Sequence, residues 1–142
     1  DKTGALRTES GGNLGFSYRA CRGLDGCVAL AAGFAVDKER AAIAQARIKD
    51  NLKRRAWMAG MRCAGSVFRN PAGKTPAGAL LDCLGFKGRR VGGAKVSEQH
   101  ANVIEAESGA TASDVEALVD QIRVETYSRA GVALQEEVVR LE

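Results

Sequence analysis

Apolar residues are grouped in three distinct ways along this chain, and each grouping predicts a different kind of element. A continuous run from Cys27 to Val36, rich in alanine and interrupted by Gly33, predicts a buried strand. Asp37 then stands where a helix N-cap is expected, and Lys38 to about Trp57 reads as a helix. Its apolar positions Ala41, Ala44, Ile48 and Leu52 recur at three- and four-residue intervals, so they share one face. From Met61 to Ala77 the pattern breaks around a short apolar centre, Ser66-Val67-Phe68, with Gly65, Pro71, Gly73 and Pro76 as breakers. Pro76 predicts the first turn of a short helix, Ala77 to Leu84, that Gly85 ends. Arg90 to Val96 and Ala101 to Ala106 read as strands, with Gly88, Gly92 and Gly93 allowing close backbone approach. Ser113 to Glu116 has the form of a capping box, followed by a stripe of Val115, Leu118, Val119 and Ile122. A helix from about Asp114 to Ala130, closed by Gly131, follows from it. Val132 to Leu141 alternates and predicts a final strand. This order implies an α+β fold: a small mixed or antiparallel sheet with packed helices. The domain boundary falls after the long helix, dividing residues 1–56 from 57–142.

Composition narrows the function classes. At 142 residues the chain holds one domain, or one domain and part of a second. No apolar run approaches the roughly 18 residues of a membrane span, so no membrane partner is expected. A net charge of +4 suits an anionic small molecule such as a nucleotide diphosphate better than nucleic acid. Cys21, Cys27, Cys63 and Cys83 form no C-x-x-C pair, and reduced, mostly buried thiols in a cytoplasmic protein are expected, with no metal site. The start at Asp1, inside a polar stretch without the features of a signal peptide, predicts a piece of a longer protein.

Three separated blocks carry a resemblance to a known family. They are Leu14 to Arg19 (LGFSYR), Cys63 to Pro71 (CAGSVFRNP) and Leu134 to Val138 (LQEEV). The second continues through Ala77 to Asp82, Gly85 to Gly88 and Gly92 to Asn102. Their order and spacing resemble the C-terminal part of the bacterial UDP-N-acetylenolpyruvoylglucosamine reductases. The short interval from Phe68 to Ala77 resembles the compact subclass of that family. Any one block alone is weak, because short motifs recur by chance.

The resemblance implies a cytoplasmic enzyme of peptidoglycan synthesis, monomeric at full length. It would use NADPH to reduce FAD, and the reduced flavin to convert a UDP-linked enolpyruvyl amino sugar to UDP-N-acetylmuramate. Residues 1–56 would be the tail of the second FAD-binding domain and 57–142 the substrate domain. Arg19 would bind the substrate carboxylate, Ser66 would donate the proton, and Glu137 would help polarise the enolate-like intermediate. Tyr18, Arg54, Asn70, Lys87 and His100 would bind the UDP-sugar, and Arg19, Ser66 and Glu137 would meet around one anionic pocket. Both cofactors would need the N-terminal region, which carries the family's Gly-rich flavin loop, so the chain alone is expected to be inactive.

Each residue also has a plain reading: a surface arginine, a turn serine, a solvated strand glutamate, a hydrogen-bonded histidine. Trp57-Met58 departs from the Gln-Pro pair of many relatives, and Val103 to Ala106 lacks the usual aromatic and asparagine. The alternative is a non-catalytic nucleotide or nucleic-acid module, built on Arg47 to Arg55 with Arg62, Arg69, Arg89 and Arg90. It is weaker, because few aromatics interleave with these cations.

Overall fold

In the computed structural model, which describes residues 4–36, 38 and 40–139, the core is built on the last helix. That helix spans Ala112–Ala130, and its buried face is Leu118, Val119, Ile122 and Thr126, with Val115 packed beside them. Its capping box sits two residues before the expected one. Thr111 Oγ1 accepts from the Asp114 amide at 3.1 Å, and the Asp114 carboxylate accepts from the Thr111 amide at 3.0 Å. Thr111 and Asp114 stand at the same spacing as Ser113 and Glu116, and the Gly93 amide also donates to Asp114 at 3.2 Å, so this carboxylate ties the helix start to a turn. Gly131, at φ 63°, ends the helix as expected.

The chain divides into two compact units, Asp1–Ala44 and Gln45–Glu142. The second holds an antiparallel sheet, Arg90–Val91, Ala94–Val96 and Ile104–Ala106, paired in sequence order. The single strand expected over 90–96 is therefore a hairpin. Gly93 lies so close to Ala110 that an added Cβ would stand 2.5 Å from its Cα, and the chain turns there. A short helix, Ala77–Cys83, stops at Leu84 with Gly85 at φ 74°, close to the expected span. Leu81, Phe86, Phe68, Val96, Ile104 and Leu134 fill the space between these elements and the last helix.

No continuous strand follows the last helix among the described residues. The segment alternates, with Val132 and Leu134 buried, but it makes one isolated antiparallel bridge, Phe68 to Glu136. Its partner lies between Gly65 and Pro71, too short to sustain a ladder. Arg140 and Leu141 lie outside the described residues.

None of the described residues of the first unit is buried. Two short strands, Phe16–Ser17 and Ala20–Cys21, form a hairpin whose turn residues are Tyr18 and Arg19. The strand expected at Cys27–Val36 is absent, and Val28, Leu30, Phe34 and Val36 are 73–84% exposed. A strand requires a paired backbone, and no described segment pairs with this run. The long helix spans Ala41–Arg55 and continues as a short 3-10 turn, Ala56–Met58. Lys38 is outside it, and the expected cap, Asp37, lies outside the described residues. The apolar stripe exists, but Ile48 and Leu52 on it are solvent-exposed. The cysteines are free thiols, yet none is buried: three are half-buried and Cys83 is exposed.

The helix cap sets an acid dependence. Hydrogen bonds from the Thr111 and Gly93 amides hold the Asp114 carboxyl below its ordinary range. A carboxyl whose folded pKa is depressed adds stability above its unfolded pKa, near 4, and that stability is lost as pH falls through the folded value. Melting temperature measured from pH 7 down to pH 2 is expected to fall less steeply for Asp114→Asn than for the parent. Equal slopes would remove Asp114 from the acid response.

Candidate functional site

Six of the eight expected site residues lie in the second unit; Tyr18 and Arg19 lie in the first. Arg19 occupies the hairpin turn at φ 58°, the only non-glycine residue with positive φ among those described. Its guanidinium carbon lies 5.5 Å from the centre of the Tyr18 ring, within cation–π range, and both side chains are exposed.

Ser66 and Glu137, 71 positions apart, are brought to neighbouring segments. The Glu137 amide donates to the Val67 carbonyl at 2.7 Å, and the Arg69 amide donates to Gln135 at 2.8 Å. On its other side, Ser66 forms an isolated bridge with Val103. Gly65, at φ 80°, turns the chain just before it, leaving Ser66 exposed while Val67 and Phe68 enter the core. Glu137 is half-buried. A hydroxyl and a carboxylate are thus presented from adjacent backbone, one residue out of register.

Some expected binding residues also serve the fold. Asn70 Oδ1 accepts from the Ala77 amide at 3.0 Å and so caps a helix whose own N-cap, Pro76, offers no side-chain acceptor. Lys87 pairs with Asp82 at 2.6 Å, and Arg54 pairs with Asp50 one turn earlier on its helix. The Asn102 amide donates to His100 Nδ1 at 3.2 Å, so the neutral imidazole carries its proton on Nε2. The same ring lies parallel to Trp57, with 6.1 Å between centroids. It also lies so close to Gly78 that a Cβ there would stand 2.6 Å from Cε1. Trp57 therefore has a place here, against His100.

Asn102 is the functional candidate that sequence reasoning missed. It is 4% exposed, and its side chain bonds both main-chain groups of Phe68. An asparagine set among Ala101, Val103 and Ile104 was a readable signal, since buried polar groups need partners.

A groove of about 440 Å³ is lined by Gln45, Ile48, Lys49, Leu52, Lys53 and Ala56. These are aliphatic and cationic side chains of one helical face, with no aromatic and no amide cluster. They do not form a cradle for a flavin ring and its diphosphate. Among the described residues, no group of three or more His, Cys, Asp or Glu side chains is placed to hold a metal ion, and no helix is long and apolar enough to cross a membrane.

A family model described as the C-terminal domain of UDP-N-acetylenolpyruvoylglucosamine reductase matches residues 57–141. The chain belongs to that family. A UDP-N-acetylenolpyruvoylglucosamine reductase from Alkalilimnicola ehrlichii is 41% identical over 140 residues, covering 97% of this chain and 47% of that protein. One from Anoxybacillus flavithermus is 53% identical over 76 residues, covering 54% of this chain and 25% of that protein. The crystal structure of the Thermus caldophilus reductase matches with a TM-score of 0.63 at 31% identity, covering 90% of this chain and 46% of that one. The chain spans about half the length of the Alkalilimnicola reductase and of the Thermus structure. The expected α+β class holds, and the family match favours a piece of a reductase over a separate nucleic-acid module. Charge agrees with this, because Arg54, Arg89 and Arg90 of the supposed basic surface each carry a carboxylate partner.

Proposed function

We propose that this chain is the C-terminal part of a reductase converting the UDP-N-acetylglucosamine enolpyruvyl ether to UDP-N-acetylmuramate in peptidoglycan synthesis. The observation that carries the reading is the backbone pairing of the Ser66 and Glu137 segments, inside the stretch matched by the family model. Residues 57–142 form the substrate domain on this reading and 1–56 the tail of the domain before it. The protein acts in the cytoplasm, as a monomer at full length.

The reaction adds two hydrogens across the enolpyruvyl double bond. A flavin reduced by NADPH would supply one as hydride when bound; the described residues form no cradle for it, and this chain's own residues would bind the substrate and deliver the proton. Ser66 Oγ gives its proton to the carbon that receives no hydride, and takes one back from solvent. An alcohol is a weak acid in water, but a carbanion beside a carboxylate is a strong base, so a placed hydroxyl suffices. Arg19 meets the substrate carboxylate, where charge accumulates as the double bond is reduced, with a guanidinium that is always charged and two-pronged. Glu137 polarises the same conjugated system. Lys87 and Arg54 face the diphosphate, exchanging part of their present pairing with Asp82 and Asp50 for it. Asn70, His100 and Tyr18 contact the sugar and nucleotide, His100 through its Nε2–H.

Arg19→Gln in the full-length reductase tests this. A charge-assisted bond contributes about 1.5–3 kcal/mol, so KM for the enolpyruvyl sugar should rise roughly 10- to 100-fold. Steady-state kinetics with unchanged KM and kcat would refute the role given to Arg19.

A further inference from the structure

We infer that Asn102 is a positioning residue for proton delivery: by fixing the Val67–Phe68 backbone it sets where the Ser66 hydroxyl points. The inference rests on the role given to Ser66 above, and Asn102 itself touches no reacting atom.

The geometry is a side chain standing in for a strand. Phe68 donates its amide to Asn102 Oδ1 at 2.9 Å, and Asn102 Nδ2 returns a bond to the Phe68 carbonyl at 2.8 Å. The Asn102 main-chain carbonyl accepts from the Val67 amide at 2.9 Å. One residue therefore satisfies three of the four main-chain polar groups of Val67 and Phe68. The fourth, the Val67 carbonyl, takes the Glu137 amide. The dipeptide following Ser66 is thus held from one edge by Asn102 and from the other by the Glu137 segment. Any rotation of this backbone would move the hydroxyl relative to the carboxylate.

An amide is required because it donates and accepts in one plane, as a peptide group does. A carboxylate of the same size keeps the acceptor for the Phe68 amide but sets oxygen against the Phe68 carbonyl. Protonation restores the missing donor. Burial and the facing carbonyl both favour the protonated form, so the recovery should come above the ordinary carboxyl range.

The experiment uses the full-length reductase carrying Asn102→Asp, with stopped-flow absorbance following each half-reaction from pH 8 to pH 5.5. Flavin reduction by NADPH is expected within about twofold of the parent throughout. Flavin reoxidation by the enolpyruvyl sugar should be slower by about tenfold or more at pH 8, since misplacement of a reacting group by an ångström costs up to that order and beyond. Relative to the parent at the same pH, it should recover to within about threefold at pH 5.5 as the carboxyl takes up its proton. A reoxidation ratio near one at pH 8, a ratio that does not change with pH, or equal losses in both half-reactions would overturn the inference. If Asn102→Asp does not fold, Asn102→Ser carries the same comparison between half-reactions at pH 8. Failure of both variants to fold would make Asn102 a residue of the fold alone. Ser66→Ala run alongside separates the two readings. Normal reoxidation in that variant removes the role of Ser66 itself, whereas a defect there with none in Asn102→Asp removes only the positioning role.

Discussion

Replacing Ser66 by alanine in the full-length reductase is expected to slow flavin reoxidation by substrate at least about 100-fold, the lower end for a lost general acid. Flavin reduction by NADPH should change by less than about twofold, because no proton from Ser66 enters that half of the cycle. The structural ground for separating the two is the exposure of Ser66. Its side chain lies outside the core that Val67 and Phe68 enter, and its main-chain bridge to Val103 does not depend on the hydroxyl. Alanine should therefore leave the fold intact, and a melting temperature within a few degrees of the parent would confirm it. Equal slowing of both half-reactions would mean that the residue shapes the protein rather than donating the proton.

The largest stability effect is expected at Phe68. Its ring is 1% exposed and joins the core with Leu81, Phe86, Leu118 and Ile122. Truncating a buried phenylalanine to alanine costs about 3–5 kcal/mol, from lost transfer energy and an unfilled cavity. Domains of this size hold only about 5–15 kcal/mol in total. Phe68→Ala should lower the melting temperature by at least roughly 12 °C, and Phe68→Leu by much less. The affected backbone is the one that carries Ser66, so substrate-linked activity should fall before the protein is fully unfolded. Thermal denaturation followed by circular dichroism decides it: a loss below about 1 kcal/mol would show that the core closes around the gap.

Local rules read well from this sequence, and long-range pairing did not. The last helix, its stripe and the glycine stops at Gly85 and Gly131 follow from spacing and cap chemistry within a few residues. The cap itself moved from Ser113 to Thr111, a second capping register that Thr111 and Asp114 supply at the same spacing, and in it Asp114 also binds Gly93, 21 positions away. Cys27 to Val36 has the composition of a strand, but composition does not supply a second backbone to pair with. The Val132 to Leu141 alternation fits the burial of Val132 and Leu134, but the strand it predicts failed on pairing, since the facing stretch after Gly65 is only a few residues long. The site follows the same division. Neighbouring placement of Ser66 and Glu137 rests on main-chain bonds between residues far apart in the chain, Val67 with Glu137 and Arg69 with Gln135, invisible to periodicity and suggested only by the family resemblance. Asn102 left one mark, a polar residue among Ala101, Val103 and Ile104, but its partners are backbone atoms of Phe68, which no side-chain pattern names.

The turn at Arg19 has a further consequence. A side-chain-bearing residue in the left-handed region carries about 1–2 kcal/mol of steric cost that glycine would release. Glycine at that position would make the hairpin easier to fold and would at once strip its tip of the cation. On the role proposed for Arg19, stability and chemistry thus compete at a single residue, and the sequence settles the contest in favour of the charge.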